Sequence, residues 1–127
     1  MNILLVDDSV IVRSVIKRAI LAGAPRLKLN FLPAWDGAQA LDILAAYEMD
    51  LVLVDWNMPV MNGLELVKRI RARGLQMPIV MISSTNDQAR VQEAIQAGVT
   101  DYVTKPFDDA QLWQRLKKYF EGEDVTP

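Results

Sequence analysis

The sequence predicts a doubly wound α/β domain, with five parallel strands and five helices. Two observations predict this fold class. Short apolar runs alternate along the chain with segments of helical periodicity,. Strands that alternate with helices are joined by right-handed crossovers, which place helices on both faces of a parallel sheet. The apolar runs lie near residues 2–6, 28–33, 50–55, 78–83 and 101–104.

The first helix is predicted in the segment after Asp8. Apolar residues recur there at spacings of three and four, which is typical of a helix with one buried face. Gly23 is expected to end this helix as a C-terminal glycine,. The expected apolar face comprises Val12, Val15, Ile16, Ala19 and Ile20, and the expected solvent face comprises Arg13, Lys17 and Arg18.

The other four helices begin at residues that commonly cap helix N-termini. Two of them also have a glycine where the periodic pattern ends. The expected caps are Asp36 with Gly37, Asn62 with Gly63, Asn86 or Asp87, and Asp108 or Asp109, and the expected terminal glycines are Gly74 and Gly98.

Composition bounds the possible functions. The 127 residues, 51% of them hydrophobic, suffice for one domain with a full core,. No apolar run approaches the roughly 20 residues of a membrane span, and no leader precedes the first strand, so we expect a cytoplasmic protein without a membrane partner. The net charge of -2 without a basic stripe argues against nucleic-acid binding by this chain,. Because histidine and cysteine are absent, any metal site must use oxygen ligands,.

Four of the apolar runs end on polar residues that can bind phosphate or a metal ion. These residues are Asp7 with Asp8, then Asp55, Ser83 and Lys105. Each alone is an ordinary cap or turn residue. In an open α/β sheet, however, ligands bind beyond the carboxyl ends of the strands. The recurrence of these residues at successive strand ends therefore predicts one shared pocket.

Three carboxylates in one pocket would repel one another unless a cation lay between them. Mg²⁺ suits two carboxylates and a backbone carbonyl, because it prefers oxygen ligands. A carboxylate held in this way, here Asp55, can attack phosphorus and form an aspartyl phosphate. Lys105 would then offset charge on the transferring phosphoryl group, and Ser83 offers a hydroxyl donor to it,.

The segments LLVDDS, VLVDWNMPVMNG, MISS and YVTKPF resemble, in this order and spacing, the receiver domain of two-component response regulators. The single-domain type that serves chemotaxis is the most similar, and the resemblance covers essentially the whole chain. It implies the flavodoxin-like, CheY-like strand order 2-1-3-4-5, which the spacing alone does not give. We expect the receiver domain to span residues 1–121, with residues 122–127 as a flexible tail or the start of a linker.

The resemblance also implies the roles of the acidic residues. Asp55 would be the phosphoacceptor, and Lys105 would pair with its phosphoryl group. Asp8 and Asp55 would bind Mg²⁺ directly, together with the backbone carbonyl of Asn57. Asp7 would act through a metal-bound water.

The same resemblance implies a switch formed by Ser83 and Tyr102, in which the tyrosine turns inward after the serine on activation. Asn57 and Thr85 lie where the family tunes the lifetime of its phosphoryl group. The bond between Lys105 and Pro106 is expected to be cis, which proline permits at low cost,.

The implied upstream partner is a sensor histidine kinase or a phosphotransfer protein. The implied target is a protein that binds the surface formed by the fourth helix, fifth strand and fifth helix. The chain is expected to act as a monomer or as a phosphorylation-dependent dimer. One alternative remains within the family: the chain is the N-terminal receiver of a longer regulator with a DNA-binding or enzymatic output.

Two other functional classes fit the sequence less well. A phosphatase of the haloacid dehalogenase type needs a second acid where Asn57 stands. A flavin or nucleotide module needs a glycine or hydroxyl cradle after the first strand, where this chain has DDSVIVR,. The phosphoacceptor switch is the function that the sequence favours.

The three tryptophans allow more than one interpretation. Trp113 lies at the margin of the apolar stripe of the fifth helix, on the expected target surface, where it either completes the core or anchors a partner,. Trp35 has the same two interpretations. Trp56 follows Asp55 directly, so its fluorescence is expected to report metal binding.

Overall fold

The computed structural model describes residues 1–121, which form one parallel sheet with helices on both faces, as predicted. The expected tail, residues 122–127, lies outside the described residues. A 3-10 turn, Lys117–Phe120, follows the last helix. The elements in chain order are β1 (Asn2–Val6), α1 (Val10–Gly23), β2 (Asn30–Ala34), α2 (Gly37–Ala46), β3 (Leu51–Val54), α3 (Gly63–Ala72), β4 (Ile79–Ser83), α4 (Gln88–Ala97), β5 (Asp101–Thr104) and α5 (Asp109–Leu116).

The five strands are all parallel and lie in the order β2-β1-β3-β4-β5. This confirms the order that the resemblance implied. Every residue of β3 and β4 is buried, as expected for central strands covered on both faces,. In the register of the sheet, Val6 lies opposite Val54, and Val54 lies opposite Met81. The carboxyl ends of β1, β3 and β4 therefore lie side by side.

The core has two layers, one on each face of the sheet. Alternate strand residues contribute to opposite layers, since successive side chains of a strand point to opposite faces. Leu4 and Val6 pack with α2, α3 and α4, whereas Ile3 and Leu5 pack with α1 and α5. Both layers exclude water almost completely, so the strand ends are held on a rigid base.

The expected caps are present on α2 to α5. Each cap side chain accepts a hydrogen bond from the backbone N–H three residues later, and of the two alternative pairs Asp87 and Asp108 are the caps,. Gly74 and Gly98 have positive φ angles of 79° and 119°, as expected for glycines that end helices,. The four caps are Asp36, Asn62, Asp87 and Asp108.

Gly23 ends α1 as expected, but it does so without the left-handed backbone of a terminal glycine,. Gly23 is the last residue of α1 and has no positive φ angle, and the N–H of Ala24 donates to the carbonyl of Ile20. The glycine is required by a tertiary contact instead, because a Cβ atom there would lie 2.2 Å from Cδ2 of Trp113. Periodicity along one helix could not reveal a contact with α5.

The second strand begins two residues later than the apolar run suggested, because Asn30 pairs with Asn2 at the start of β1. Within residues 1–121, no helix combines the length and the apolar content that crossing a membrane requires.

Candidate functional site

Three carboxylates meet at the carboxyl end of the sheet. Asp7 and Asp8 follow β1, and Asp55 follows β3. Because β1 and β3 are neighbours in register, the residues that follow them emerge side by side. One carboxylate oxygen from each residue lies within 4.8 Å of the other two. Asp7 and Asp55 are buried, with 3% and 8% exposure, whereas Asp8 is exposed.

Lys105 provides the cation of this cluster. It follows β5, its backbone N–H donates to the carbonyl of Ser83, and its bond to Pro106 is cis. Its Nζ lies 3.4 Å from Oδ2 of Asp7 and 3.4 Å from Oδ2 of Asp55. One ammonium group thus bridges two buried carboxylates and offsets their mutual repulsion.

Asp7 is the most constrained carboxylate of the cluster. Its Oδ1 accepts the backbone N–H of Ser9 at 2.9 Å, and its Oδ2 faces Lys105. Burial is the main cause that raises the pKa of Asp7 above its ordinary value, and the nearby charge of Asp55 adds to it. The Ser9 N–H and Lys105 oppose this rise only in part. A second cation at the cluster would therefore favour the ionised form of Asp7.

The donor set fits a hard divalent cation. All three side chains offer carboxylate oxygens, the ligands that Mg²⁺ prefers,. Asn57, whose carbonyl was the fourth expected ligand, lies beside the cluster, and its backbone N–H donates to Oδ1 of Asp55 at 3.3 Å. The four residues expected to bind the metal are thus in one region of the structure.

Ser83 and Tyr102 both form hydrogen bonds with Thr85. Oγ of Ser83, which is fully buried at the end of β4, accepts the N–H of Thr85 at 3.2 Å. The hydroxyl of Tyr102 donates to the carbonyl of Thr85. Oγ1 of Thr85 accepts Nδ2 of Asn57 at 3.2 Å. One residue thus connects the loops after β3 and β4 with β5.

The ring of Tyr102 lies inward, with 7% exposure. Burial raises the pKa of its hydroxyl above the ordinary value. The inward placement that was expected to follow activation is therefore the one that this structure has. Among the hydrogen bonds of residues 1–121, none joins Ser83 to the three carboxylates or to the Lys105 ammonium.

Two arginines near the site were missed by sequence reasoning. Arg13 was expected on the solvent face of α1, but it is half-buried and its Nη1 donates to the carbonyl of Asp7. Arg90, in the first turn of α4, lies 5.7 Å from the ring centre of Trp56, which is buried. Ser9 caps α1, and its side chain accepts the backbone N–H of Val12. The only available signal for Arg13 was its place one turn after this cap. Nothing in the sequence indicated the Arg90 contact.

The structure also places the other two tryptophans. Trp113 packs against Gly23 of α1 and lies 5.4 Å from the ring centre of Phe120. It therefore faces α1, and the expectation that it belongs to the surface of α4, β5 and α5 was wrong. Trp35, between β2 and α2, is half-exposed.

Comparison with known proteins agrees with this geometry. The family model for the response regulator receiver domain matches residues 3–117. The chemotaxis protein CheY homolog of Campylobacter jejuni is 40% identical over 121 residues, which cover 92% of this chain and 90% of that protein. Chemotaxis protein CheY-3 of Vibrio cholerae is 39% identical over 123 residues, covering 95% and 92%.

Solved structures show the same similarity. The chemotaxis response regulator CheY4 of Vibrio cholerae matches with a TM-score of 0.82 and 29% identity, covering 93% of this chain and 97% of that one. The sequence match extends over almost the whole chain, from β1 to the turn after α5. The chain therefore belongs to the family of response regulator receiver domains, the signalling switches of two-component systems.

Proposed function

We propose that this chain is a phosphoacceptor switch that receives a phosphoryl group on Asp55. The donor is a phosphohistidine of a sensor histidine kinase or phosphotransfer protein, or a small-molecule phosphodonor. The observation that carries the proposal is the placement of Asp55 within a three-carboxylate cluster, 3.4 Å from the ammonium of Lys105. The family membership of the chain supports the same function.

The transfer forms one bond and breaks another. An oxygen of Asp55 attacks phosphorus, the bond from phosphorus to the donor nitrogen breaks, and that nitrogen keeps the electron pair and takes up a proton. Negative charge is spread over the phosphoryl oxygens during this step. Lys105, already directed at Asp55, would stabilise that charge without further reorganisation,.

Asp7, Asp8, Asp55 and the backbone carbonyl of Asn57 would hold Mg²⁺. When bound, the ion supplies positive charge that offsets the carboxylates and the phosphoryl oxygens. The chain prepares this site in advance, since the N–H of Ser9 fixes the orientation of the Asp7 carboxylate.

Phosphorylation would act on the rest of the molecule through Thr85. Phosphoryl oxygens are strong hydrogen-bond acceptors, so Ser83 would turn its hydroxyl to donate to one of them. That change would withdraw the Ser83 oxygen from the N–H of Thr85. Because the carbonyl of Thr85 holds the hydroxyl of Tyr102, the loop after β4 and the aromatic ring would respond together. A protein target that binds the surface of α4, β5 and α5 would then favour the arrangement of this loop and ring that phosphorylation produces.

We further propose residues 1–121 as the switch unit, acting in the cytoplasm as a monomer or as a phosphorylation-dependent dimer. A longer regulator with this chain as its N-terminal receiver is the alternative context. In both cases the chemistry at Asp55 is the same, and the output differs.

The proposal is tested by intact mass after incubation with acetyl phosphate. The native chain is expected to gain one phosphoryl group with Mg²⁺ and none without it, and Asp55→Asn none in either condition. An exposed acid on α2, Asp42, provides the matched control, and Asp42→Asn should behave as the native chain. Equal labelling of Asp55→Asn would contradict the assignment of the phosphoacceptor.

A further inference from the structure

A groove lies at the end of the molecule opposite the acidic cluster, between the end of α1 and the segment formed by α5 and its 3-10 turn. Its volume is about 390 Å³, within the range of ligand-binding pockets,. Since α1 has 14 residues, the groove lies roughly 20 Å from the carboxylates at the start of that helix,. Its apolar wall comprises Ala24, Pro25, Leu27, Trp113 and Phe120.

The aromatic floor of this groove is held in a fixed position. The indole of Trp113 fits against Gly23, where a Cβ atom would lie 2.2 Å away. The indole also lies 5.4 Å from the ring centre of Phe120, which is 4% exposed. Part of the indole faces the groove. Rigid, partly accessible aromatic side chains are the usual anchors of protein interfaces, because they bury apolar area at low entropic cost.

The rim of the groove is basic. Arg26 and Lys117 line it and are exposed, and neither forms an ion pair with another of residues 1–121. The neighbouring Lys118 differs, since it pairs with Asp101 at 3.2 Å. Glu121 is the acid among the lining residues. Arg26 and Lys117, beside this apolar floor, are complementary to an apolar side chain flanked by carboxylates,.

We propose that this groove binds an acidic peptide segment of a partner protein. An apolar side chain of that segment would contact Trp113, and its carboxylates would pair with Arg26 and Lys117. Because the groove lies at the opposite end of the sheet from Asp55, a bound partner would leave the phosphoacceptor open to its donor. The proposal goes beyond phosphorylation and does not depend on it.

The test is fluorescence anisotropy of a fluorescein-labelled peptide, Gly-Glu-Asp-Leu-Asp-Glu-Gly, titrated with the full chain. Saturable binding is expected, and Arg26→Glu or Lys117→Glu should weaken it at least tenfold. Lys68→Glu makes the same charge change at an exposed position of α3 and should alter binding less than twofold. A peptide with Ser in place of Leu should bind at least tenfold more weakly. Asp55→Asn should bind as the native chain does, which separates this proposal from the phosphoacceptor assignment.

Several results would overturn the proposal. No saturable binding, equal loss in Lys68→Glu, or equal binding of the peptide with Lys for each acid would do so. Binding that appears only in the double variant Glu123→Lys and Asp124→Lys would make the chain's own residues 122–127 the occupant. A concentration-dependent dimer that Lys117→Glu abolishes would make a second copy the occupant. Unchanged urea unfolding of the rim variants establishes that they are folded.

Discussion

The two ends of the sheet are stabilised by different interactions. At the carboxyl end, three carboxylates lie within 4.8 Å of one another, and one ammonium group bridges the two buried ones, Asp7 and Asp55. At the opposite end, α1 and α5 meet through the indole of Trp113 packed on Gly23. The first end is thus held by interactions between charged groups, and the second by close packing of an aromatic ring on a glycine. Substitutions at the first should therefore change phosphotransfer and the dependence of stability on pH and Mg²⁺, and substitutions at the second should change stability under all conditions.

The largest effect is expected at the charged end, from Lys105→Ala. Loss of the ammonium that faces Asp55 should slow phosphorylation by acetyl phosphate about 10²-fold, the scale of removing one preorganised donor,. The rate is read from a mass time course. Lys68→Ala, at an exposed position of α3, is the control and should keep the native rate. An unchanged rate in Lys105→Ala would show that the lysine does not act on the transferring group.

At the packed end, Gly23→Ala should destabilise the fold by about 1–3 kcal/mol, because the new Cβ overlaps the indole of Trp113,. At an unconstrained helix position the same change would stabilise the fold by about 1 kcal/mol. The sign of the change in unfolding free energy therefore shows whether the contact with Trp113 excludes a Cβ atom. Urea unfolding gives the free energy. In the background Trp113→Leu the cost of Gly23→Ala should largely disappear, as a double-mutant cycle would show. Equal cost in both backgrounds would locate the strain elsewhere.

The pKa of Asp7 links charge to stability. Because burial raises it above the ordinary 3.8, the folded chain binds this proton more tightly than the unfolded chain. The contribution of Asp7 to stability therefore falls as pH rises from 3.8 through the raised pKa, and stays lower above it. Asparagine does not ionise, so the Asp7→Asn variant avoids the fall in stability that ionisation of Asp7 causes. At neutral pH without divalent ions, this variant should be more stable than the native chain. The stability difference between Asp7→Asn and the native chain should vanish below pH 3.8. Urea unfolding at a series of pH values measures it.

Added Mg²⁺ should reverse that order. At 100 times its dissociation constant, a ligand that binds only the folded state stabilises it by about 2.7 kcal/mol. The native chain should gain this amount, and Asp7→Asn should gain much less. Asp42→Asn is the control, and Mg²⁺ should stabilise it as much as it stabilises the native chain. The same gain in Asp7→Asn and the native chain would remove Asp7 from the metal site.

The smallest effect is expected at Val60, in the loop between β3 and α3. This residue is fully exposed and has a φ of 69°, a conformation that is costly for a β-branched side chain,. Val60→Asn should stabilise the fold by about 1 kcal/mol, since asparagine tolerates the left-handed region. The phosphorylation rate should not change. A stability loss would show that the positive φ of Val60 is not a source of strain that asparagine relieves.

Much of the charged end could be predicted from the sequence. Asp7, Asp55 and Lys105 each follow an apolar strand, and the topology of a parallel sheet brings strand ends together,. The role of Thr85 as the link between Ser83 and Tyr102 could not be predicted, because it depends on the conformation of the loop after β4. The roles of these residues in phosphotransfer remain predictions.

Little of the packed end could be predicted. Helical periodicity predicted an apolar stripe on the fifth helix, where Leu112 and Leu116 are buried, but it left Trp113 ambiguous. The position of Gly23 at the end of α1 suggested a C-terminal glycine, and the structure shows a packing site for an aromatic ring instead. Such contacts join residues far apart in the chain, so no local pattern reports them.

The sequence alone determined the element order, most helix caps and the residues at the strand ends, because these follow from local hydrophobic patterns and backbone hydrogen bonding. Only the tertiary structure decided that Lys105 bridges Asp7 and Asp55, that Arg13 turns back to the carbonyl of Asp7, and that a groove forms beside Trp113. These features depend on how separate elements approach one another, and that approach is fixed by the packing of the whole core.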